Sequence, residues 1–341
     1  NARNDWSSVL PEGNRSFFYG GASTSFVFTD AFNMSSNVLS FGKLRVGVSQ
    51  TGRVGDPYQI TNTFLQGTHT DGFRNLQYPL VLSGGGTING FEASNIVGNP
   101  DLNNELVTEY EIGADLRFFN GRVGLDANVY SKTTTDLVWN TNITPSTGAT
   151  SQTLNLGEIN NKGIELLLTA TPVQIGSFSW DISANYAKNK NELVSLNEDL
   201  PQVDIGGLSI ISLIAKVGQP IGLLEGPVPL RDSQGRIVVA SNGLPVAADD
   251  PEVYGDVQYD YVMGISNSFS YKGLRFSFLF DIRQGGLMYS RTADLQYFSG
   301  TAPITTYNNR EPFIVTNSVV DSGTTDENEN PIYVENTTPV D

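Results

Sequence analysis

The sequence predicts an all-β fold of antiparallel strands of the transmembrane β-barrel kind, with short periplasmic turns at one end and long extracellular loops at the other. Three observations predict it. Apolar and polar residues alternate with period 2 along several long arms, whereas a 3.6-residue period is almost absent. Short and long connections alternate along the chain. No helical pattern is available to cover the apolar side of so wide a sheet.

The elements follow in order. Leu44, Val46 and Val48 alternate with Lys43, Arg45, Gly47 and Ser49. Ile112, Ala114, Leu116 and Phe118 alternate with Glu111, Gly113, Asp115 and Arg117. Asn120-Gly121 then supplies a strong hairpin signal, because both central residues of a type I′ turn need positive φ. After it, Val123, Leu125, Ala127 and Val129 alternate with Arg122, Gly124, Asp126, Asn128 and Tyr130. Phe178, Trp180, Ile182, Ala184 and Tyr186 alternate with Ser179, Asp181, Ser183 and Asn185. Last, Leu274, Phe276, Phe278, Phe280 and Ile282 alternate with Arg275, Ser277, Asp281 and Arg283. Several of these arms exceed the mean strand of about 5–6 residues.

Tight links fit Pro172 to Ser177 and Tyr271-Lys272-Gly273. Long polar segments cover 51–104, 140–157, 197–255 and everything after Tyr289. Inside the third, Leu230 to Val246 carries turn signals at Ser233-Gln234-Gly235 and Asn242-Gly243, which predict a small hairpin within a loop.

A soluble sandwich would give a similar alternation, with its polar faces in water. Two further details favour a barrel. Charged residues such as Asp115, Arg117, Asp126 and Asp281 recur in mid-strand on the polar face. Aromatic residues crowd strand ends, as with Phe118, Phe119, Tyr130, Trp139, Tyr271 and Tyr289. In that arrangement Ile112, Leu116, Leu125 and Val129 face lipid. Glu111, Asp115, Arg117, Asp126, Asn128, Asp181, Asn185, Arg275 and Asp281 line the lumen. Leu125→Arg is then expected to damage insertion and Asp126→Asn to be mild.

Composition removes other classes. The chain has 341 residues and no Cys, so disulfides, thiolate metal sites and cysteine nucleophiles are out. Acidic residues outnumber basic ones 36 to 20, a formal net charge of -16, which speaks against a nucleic-acid partner. Apolar runs such as Leu208 to Val217 fall short of the roughly 18 residues a membrane-spanning helix needs. His69 is the single His, so neither a His-based triad nor a multi-His metal site can be assembled. The stretch GGGTING at Gly84 to Gly90 lacks the Lys-Ser/Thr of a phosphate loop. Ser322 to Pro331 is acidic but lacks calcium-loop spacing. No catalytic residue, metal or cofactor is expected, and no enzymatic activity. Phe91, Trp139, Tyr254 and Tyr259 are the candidates for ligand contact, since flat aromatic faces stack on sugars or pack on peptides. Trp139 reads more readily as an anchor at the outer interface than as a ligand contact.

The stretches NPDLNNELVTEYEIGADLRFFNGRVGLDANVYSKTTTDLVW, Asn99 to Trp139, and ITPSTGATSQTLNLGEINNKGIELLLTATPV, Ile143 to Val173, resemble the C-terminal barrel half of SusC/RagA-like TonB-dependent outer-membrane transporters of Bacteroidetes. Ala2 to Phe32, Leu39 to Gly52 and Asn267 to Gly286 extend the resemblance over most of the chain. It implies an outer-membrane barrel of about 22 strands around a plug. It also implies a SusD-like surface lipoprotein as partner, TonB as energy source, and import of oligosaccharides or peptides. Against the complete family pattern, residues 1–341 are expected to be a partial barrel domain. The signal peptide, carboxypeptidase-like domain, TonB box, plug, early strands and closing strands would lie elsewhere, and TonB would act through that N-terminal region. Two alternatives stand beside this reading: a SusC-like structural subunit of a larger outer-membrane assembly without nutrient import, and a soluble β-rich adhesion or glycan-binding protein.

Overall fold

Residues 1–34, 36–70, 75–196, 200–208 and 210–340 are described by a computed structural model. Nine strands join edge to edge in one sheet, in the order in which the chain visits them. They are β1 (Ala2–Trp6), β2 (Ser16–Val27), β3 (Leu39–Arg53), β4 (Glu105–Phe118), β5 (Val123–Thr135), β6 (Glu158–Ile175), β7 (Phe178–Ser195), β8 (Tyr259–Tyr271) and β9 (Leu274–Gly285). Every pairing between neighbours is antiparallel. β6 and β7 have 18 residues each, more than the roughly 9–11 that a tilted strand needs to cross a bilayer. They therefore extend beyond the hydrocarbon at one end.

Register fixes two faces, because successive side chains point to opposite sides. One rung across the sheet reads Phe26, Leu44, Ala114, Ala127, Leu166, Tyr186, Met263 and Ile282. The next reads Val27, Lys43, Asp115, Asp126, Leu167, Asn185, Gly264 and Asp281. The first rung is apolar from edge to edge; the second is mostly polar. Within this compact unit, residues 1–204, 215–221 and 259–285, Ile112 is 63% exposed, Val129 55% and Phe276 63%. Burying a large apolar side chain contributes about 1.5–3 kcal/mol, so a row of them left open is built for a non-aqueous surrounding. Asn267 is a polar residue on the apolar face whose hydrogen bonding is met within the sheet. It is buried, and Trp180 Nε1 donates to its Oδ1 at 3.1 Å.

Short turns gather at one end. In the link from β4 to β5, Asn120 and Gly121 have φ of 56° and 84°, and the Arg122 N–H donates to the Phe119 carbonyl, as the type I′ prediction requires. Phe119 also has positive φ, 54°, which a bulky residue seldom adopts; its N–H is held by the Val38 carbonyl at 2.8 Å. The turns at Gly176-Ser177 and Lys272-Gly273 are as tight. Pro172 belongs to β6 and not to the turn: it sits where the register with β7 shifts between Ala170 and Val173. A bulge frees that position from donating an N–H, which proline lacks.

Four strands lie outside the five alternating arms read from sequence. β1 and β2 carry Gly, Ser and Thr that blur the contrast between faces, and β8 ends in Asn, Ser and Phe. In β6 the run Leu166-Leu167-Leu168 hides an alternation that the register restores, with Leu166 and Leu168 on the apolar face and Leu167 opposite Asp126 on the polar one. Tyr130, expected near an interface, also lies on the polar face, where its hydroxyl donates to Asn189 Oδ1 at 3.1 Å.

Full burial occurs at the loop end. Leu193, Val203 and Ala215 form a small core, with Trp139, Ile159, Leu196 and Ile221 packed against it. A second compact unit holds residues 205–214, 222–258 and 286–341. There Ile237–Val239 pairs in parallel with Ser318–Thr325, which pairs antiparallel with Pro331–Glu335, and Val238, Val239 and Val319 are buried. Both turns expected inside Leu230 to Val246 form: the Gly235 N–H donates to the Asp232 carbonyl and the Gly243 N–H to that of Ala240.

Adjacent leucines test the faces. Leu168→Arg is expected to cost about 2–4 kcal/mol of folding stability in vesicles, and Leu167→Arg under about 1 kcal/mol, measured by denaturant titration of the full-length protein.

Candidate functional site

The polar face is the candidate site, and the register builds it. Glu111, Asp115 and Arg117 on β4, Asp126 and Asn128 on β5, Asp181 and Asn185 on β7, and Arg275 and Asp281 on β9 all lie on this one face. The sheet brings them into a single wall six strands wide, from β4 to β9, rather than into a point-like centre.

Its centre is an ion pair that crosses a strand. The Arg45 guanidinium donates from Nη1 to Asp126 Oδ2 at 2.9 Å and from Nη2 to Oδ1 at 2.7 Å. Arg45 is on β3 and Asp126 on β5; Gly113 of β4 lies between, paired with Arg45 on one side and Asn128 on the other. A Cβ at Gly113 would stand 2.9 Å from Arg45 Nη2 and 3.1 Å from Asn128 Oδ1. The glycine is the gap through which the guanidinium passes. Tyr130 reaches Asn189 over Gly163 in the same way, from β5 to β7 across β6. Asn189 Nδ2 then donates to Asn161 Oδ1 at 3.0 Å.

Around this centre other charges are held locally. Lys43 Nζ is 3.4 Å from Asp115 Oδ2, and Arg117 Nε is 3.8 Å from Asp115 Oδ1 with its guanidinium over the Phe41 ring. Thr171 Oγ1 donates to Asp181 Oδ1 at 2.7 Å, and Arg275 Nε to Ser268 Oγ at 3.1 Å. Arg283 Nη2 lies 3.3 Å from Asp281 Oδ2. Glu109, Glu111 and Glu165 differ: among the described residues none of them has an ion-pair partner within 4.0 Å. Together with Asn128, Lys132 and Asn189 they line an open cavity of about 440 Å³. A second cavity, of about 800 Å³, is shared by Glu109 and Glu111 with β1 and β2. The wall thus offers hydrogen-bond partners and carboxylates without ion-pair partners, and no assembled nucleophile and base among the described residues.

The loop aromatics lie on four different elements. Phe91 is 71% exposed on Phe91–Ala93, which pairs with Phe64–Gln66. Trp139 lies on Val138–Asn142, paired with Ser151–Asn155, and is half-buried against the Leu193, Val203 and Ala215 core. Tyr259 opens β8 with the Arg283 guanidinium 5.9 Å from its ring. Tyr254 belongs to the second unit, where its hydroxyl donates to the Pro227 carbonyl at 2.6 Å.

Sequence reading passed over Lys43, Arg45, Glu109, Glu165 and Asn189 as site residues. Lys43 and Arg45 were legible, as the polar half of the first arm. Glu165 was not, because the three leucines after it mask the period.

A family model described as TonB dependent receptor-like, beta-barrel, matches residues 1–209. TonB-dependent receptor P26 of Formosa agariphila is 27% identical over 333 residues, covering 87% of this chain and 31% of that protein. TonB-dependent receptor SusC of Bacteroides thetaiotaomicron is 27% identical over 264 residues, covering 71% of this chain and 25% of that protein. Among solved structures, the RagAB peptide transporter matches with a TM-score of 0.65 at 23% identity, covering 82% of this chain and 30% of that one, a likeness of fold. The chain spans under a third of the length of these relatives.

The Arg45–Asp126 pair makes Asp126→Asn costlier than alternation alone suggests. Arg45→Ala and Asp126→Ala are each expected to lower stability by about 1–2 kcal/mol, discounted for partial exposure, and the double variant by no more than either alone. Thermal or denaturant unfolding of the four proteins measures the coupling.

Proposed function

The chain belongs to the TonB dependent receptor-like β-barrel family of outer-membrane proteins, and from that premise we propose that it builds part of the wall of an active importer. The observation that carries the proposal is the two-faced sheet, mostly apolar through its middle on one side and charged in mid-strand on the other. Lipid solvates the first face. The second borders a lumen that holds water, the plug and the passing solute. Backbone groups of the interior strands are satisfied within the sheet, which is the condition for a strand to stand in hydrocarbon.

The solute is an oligosaccharide or a peptide, delivered at the loop end with the help of a SusD-like surface lipoprotein and moved by energy from TonB acting through the N-terminal region. Similarity to SusC and to the RagAB peptide transporter supports this partnership and this solute range. The protein acts as a receptor and transporter and leaves its solute chemically unchanged. In-wall pairing suits that task. Arg45 and Asp126 neutralise each other, so they set the shape and polarity of the wall without trapping a charged solute. The unpaired Glu109, Glu111 and Glu165 leave a negative field that favours cationic or neutral solutes over anionic ones.

Uptake by cells carrying the full-length protein tests this. Removing the TonB box is expected to abolish uptake of at least one oligosaccharide or peptide while heat-modifiable barrel remains in the outer membrane. Unchanged uptake of every solute tried would sink the import role and favour a structural subunit.

A further inference from the structure

Toward the loop end the apolar face gives way to polar residues, and the change differs from strand to strand. After Val48 on β3 comes Gln50, after Tyr110 on β4 comes Thr108, and after Val129 on β5 comes Ser131. None of these is charged. On β6 and β7 the residues that follow Ile164 and Tyr186 are Lys162, Lys188 and Lys190. Lys162 stands directly opposite Lys190, and Lys188 opposite Ile164. Three of the seven lysines in a chain of net charge -16 therefore share a patch two strands wide.

Two of the three lysines lack a counter-ion. Lys190 Nζ lies 3.8 Å from Glu192, whereas Lys162 and Lys188 have no ion-pair partner among the described residues, and all three are exposed. Like charges set opposite each other across strands repel, so the site gains from any anion that comes between them. Next to the lysines lies a shallow groove of about 490 Å³ lined by Tyr110, Ile112, Val129 and Ile164. Cationic rim and apolar floor thus occupy one depression.

Height in the membrane is set independently. Tyr186, two residues before Lys188, packs against Tyr261 with ring centroids 5.4 Å apart. Paired tyrosines that end an apolar face mark the headgroup level. The lysines begin where phosphate groups lie.

We propose that this patch binds one membrane lipid whose phosphate headgroup carries a net negative charge, the phosphate held among Lys162, Lys188 and Lys190 and an acyl chain lying along Ile112, Val129 and Ile164. A free phosphate would use the rim and leave the groove empty. A peptide strand adding at the groove would need free backbone groups there, but β4, β5 and β6, which form its floor, are paired on both sides. A neutral lipid would leave the lysine repulsion in place. The proposal rests on placement in the outer membrane and is independent of import.

Full-length protein purified in a neutral detergent is titrated with phosphatidylglycerol, with phosphatidylcholine and with inorganic phosphate, reading thermal unfolding and, by native mass spectrometry, retained lipid. Phosphatidylglycerol is expected to raise the unfolding temperature and remain bound, and the other two are not. Lys162→Gln, Lys188→Gln and Lys190→Gln should each weaken binding roughly fivefold, while the three Arg replacements together preserve it. Equal response to phosphatidylcholine, equal response to inorganic phosphate, or undiminished retention by a folded triple Gln variant would each overturn the assignment. Because none of these readings involves uptake, failure of the import role would leave them unchanged.

Discussion

The structure depends on register. Eight pairings carry the nine strands, and along them one rung remains apolar from Phe26 to Ile282 while its neighbour carries Lys43, Asp115, Asp126 and Asp281. A slip of one residue in any single pairing would exchange the faces of every strand beyond it. That would place Asp126 or Asp281 against hydrocarbon and Leu125 or Phe280 in the lumen. A midplane charge costs a few kcal/mol, and several would move together, so the native register is strongly favoured over its neighbours. The tight turns at one end fix the count: with the type I′ geometry of Asn120 and Gly121 closed, Phe118 must pair with Val123 and the rest of the hairpin follows.

Within that frame the polar face resolves a conflict. If this wall borders water and a moving solute, as proposed, it has to be hydrophilic, yet fixed isolated charges would bind ions or solute. Pairing Arg45 with Asp126 satisfies both demands, and it works because β4 offers no side chain at position 113. A glycine inside a strand normally weakens it, by roughly 0.5–1 kcal/mol against Ala. Here the loss is offset by a bidentate charge-assisted contact that ties three strands together. Gly163 repeats the arrangement for Tyr130 and Asn189. Gly113 and Gly163 are therefore crossings for long side chains of neighbouring strands.

Much of this was legible in the sequence, for a definite reason. Where one strand carries both clean apolar and clean polar positions, as in β4, β5 and β9, period 2 is visible without the structure. All nine polar positions chosen from those patterns fall on one face, since alternation determines orientation along a strand once its extent is known. Hidden parts are those that depend on neighbours. The alternation of β6 vanishes into Leu166-Leu167-Leu168, because Leu167 faces a polar wall that can absorb one apolar residue. The Arg45 to Asp126 contact spans 81 positions in sequence and two strands in space, and no local pattern encodes it. Trp139 was read as an interface anchor or ligand platform from its position at a strand end. Its packing on Leu193 and Ala215 comes from chain segments far from it in sequence.

The same alternation separates charge across the thickness of the sheet. On β6, Lys162 and Ile164 point to the apolar side while Asn161 and Glu165 point to the polar side. On β7, Lys188 and Lys190 take the apolar side and Asn189 the polar one. At the loop end the wall therefore carries Glu109, Glu111 and Glu165 without ion-pair partners on one side and Lys162 and Lys188 without them on the other, among the described residues. Each set weakens the self-repulsion of the other through the low-dielectric sheet between them, more strongly than through water. Glu165 and Lys162 are three residues apart and cannot meet, since a strand holds them on opposite sides. Strand geometry thus keeps both charges available to whatever each face meets, where a helix would have brought the same two residues together and cancelled them.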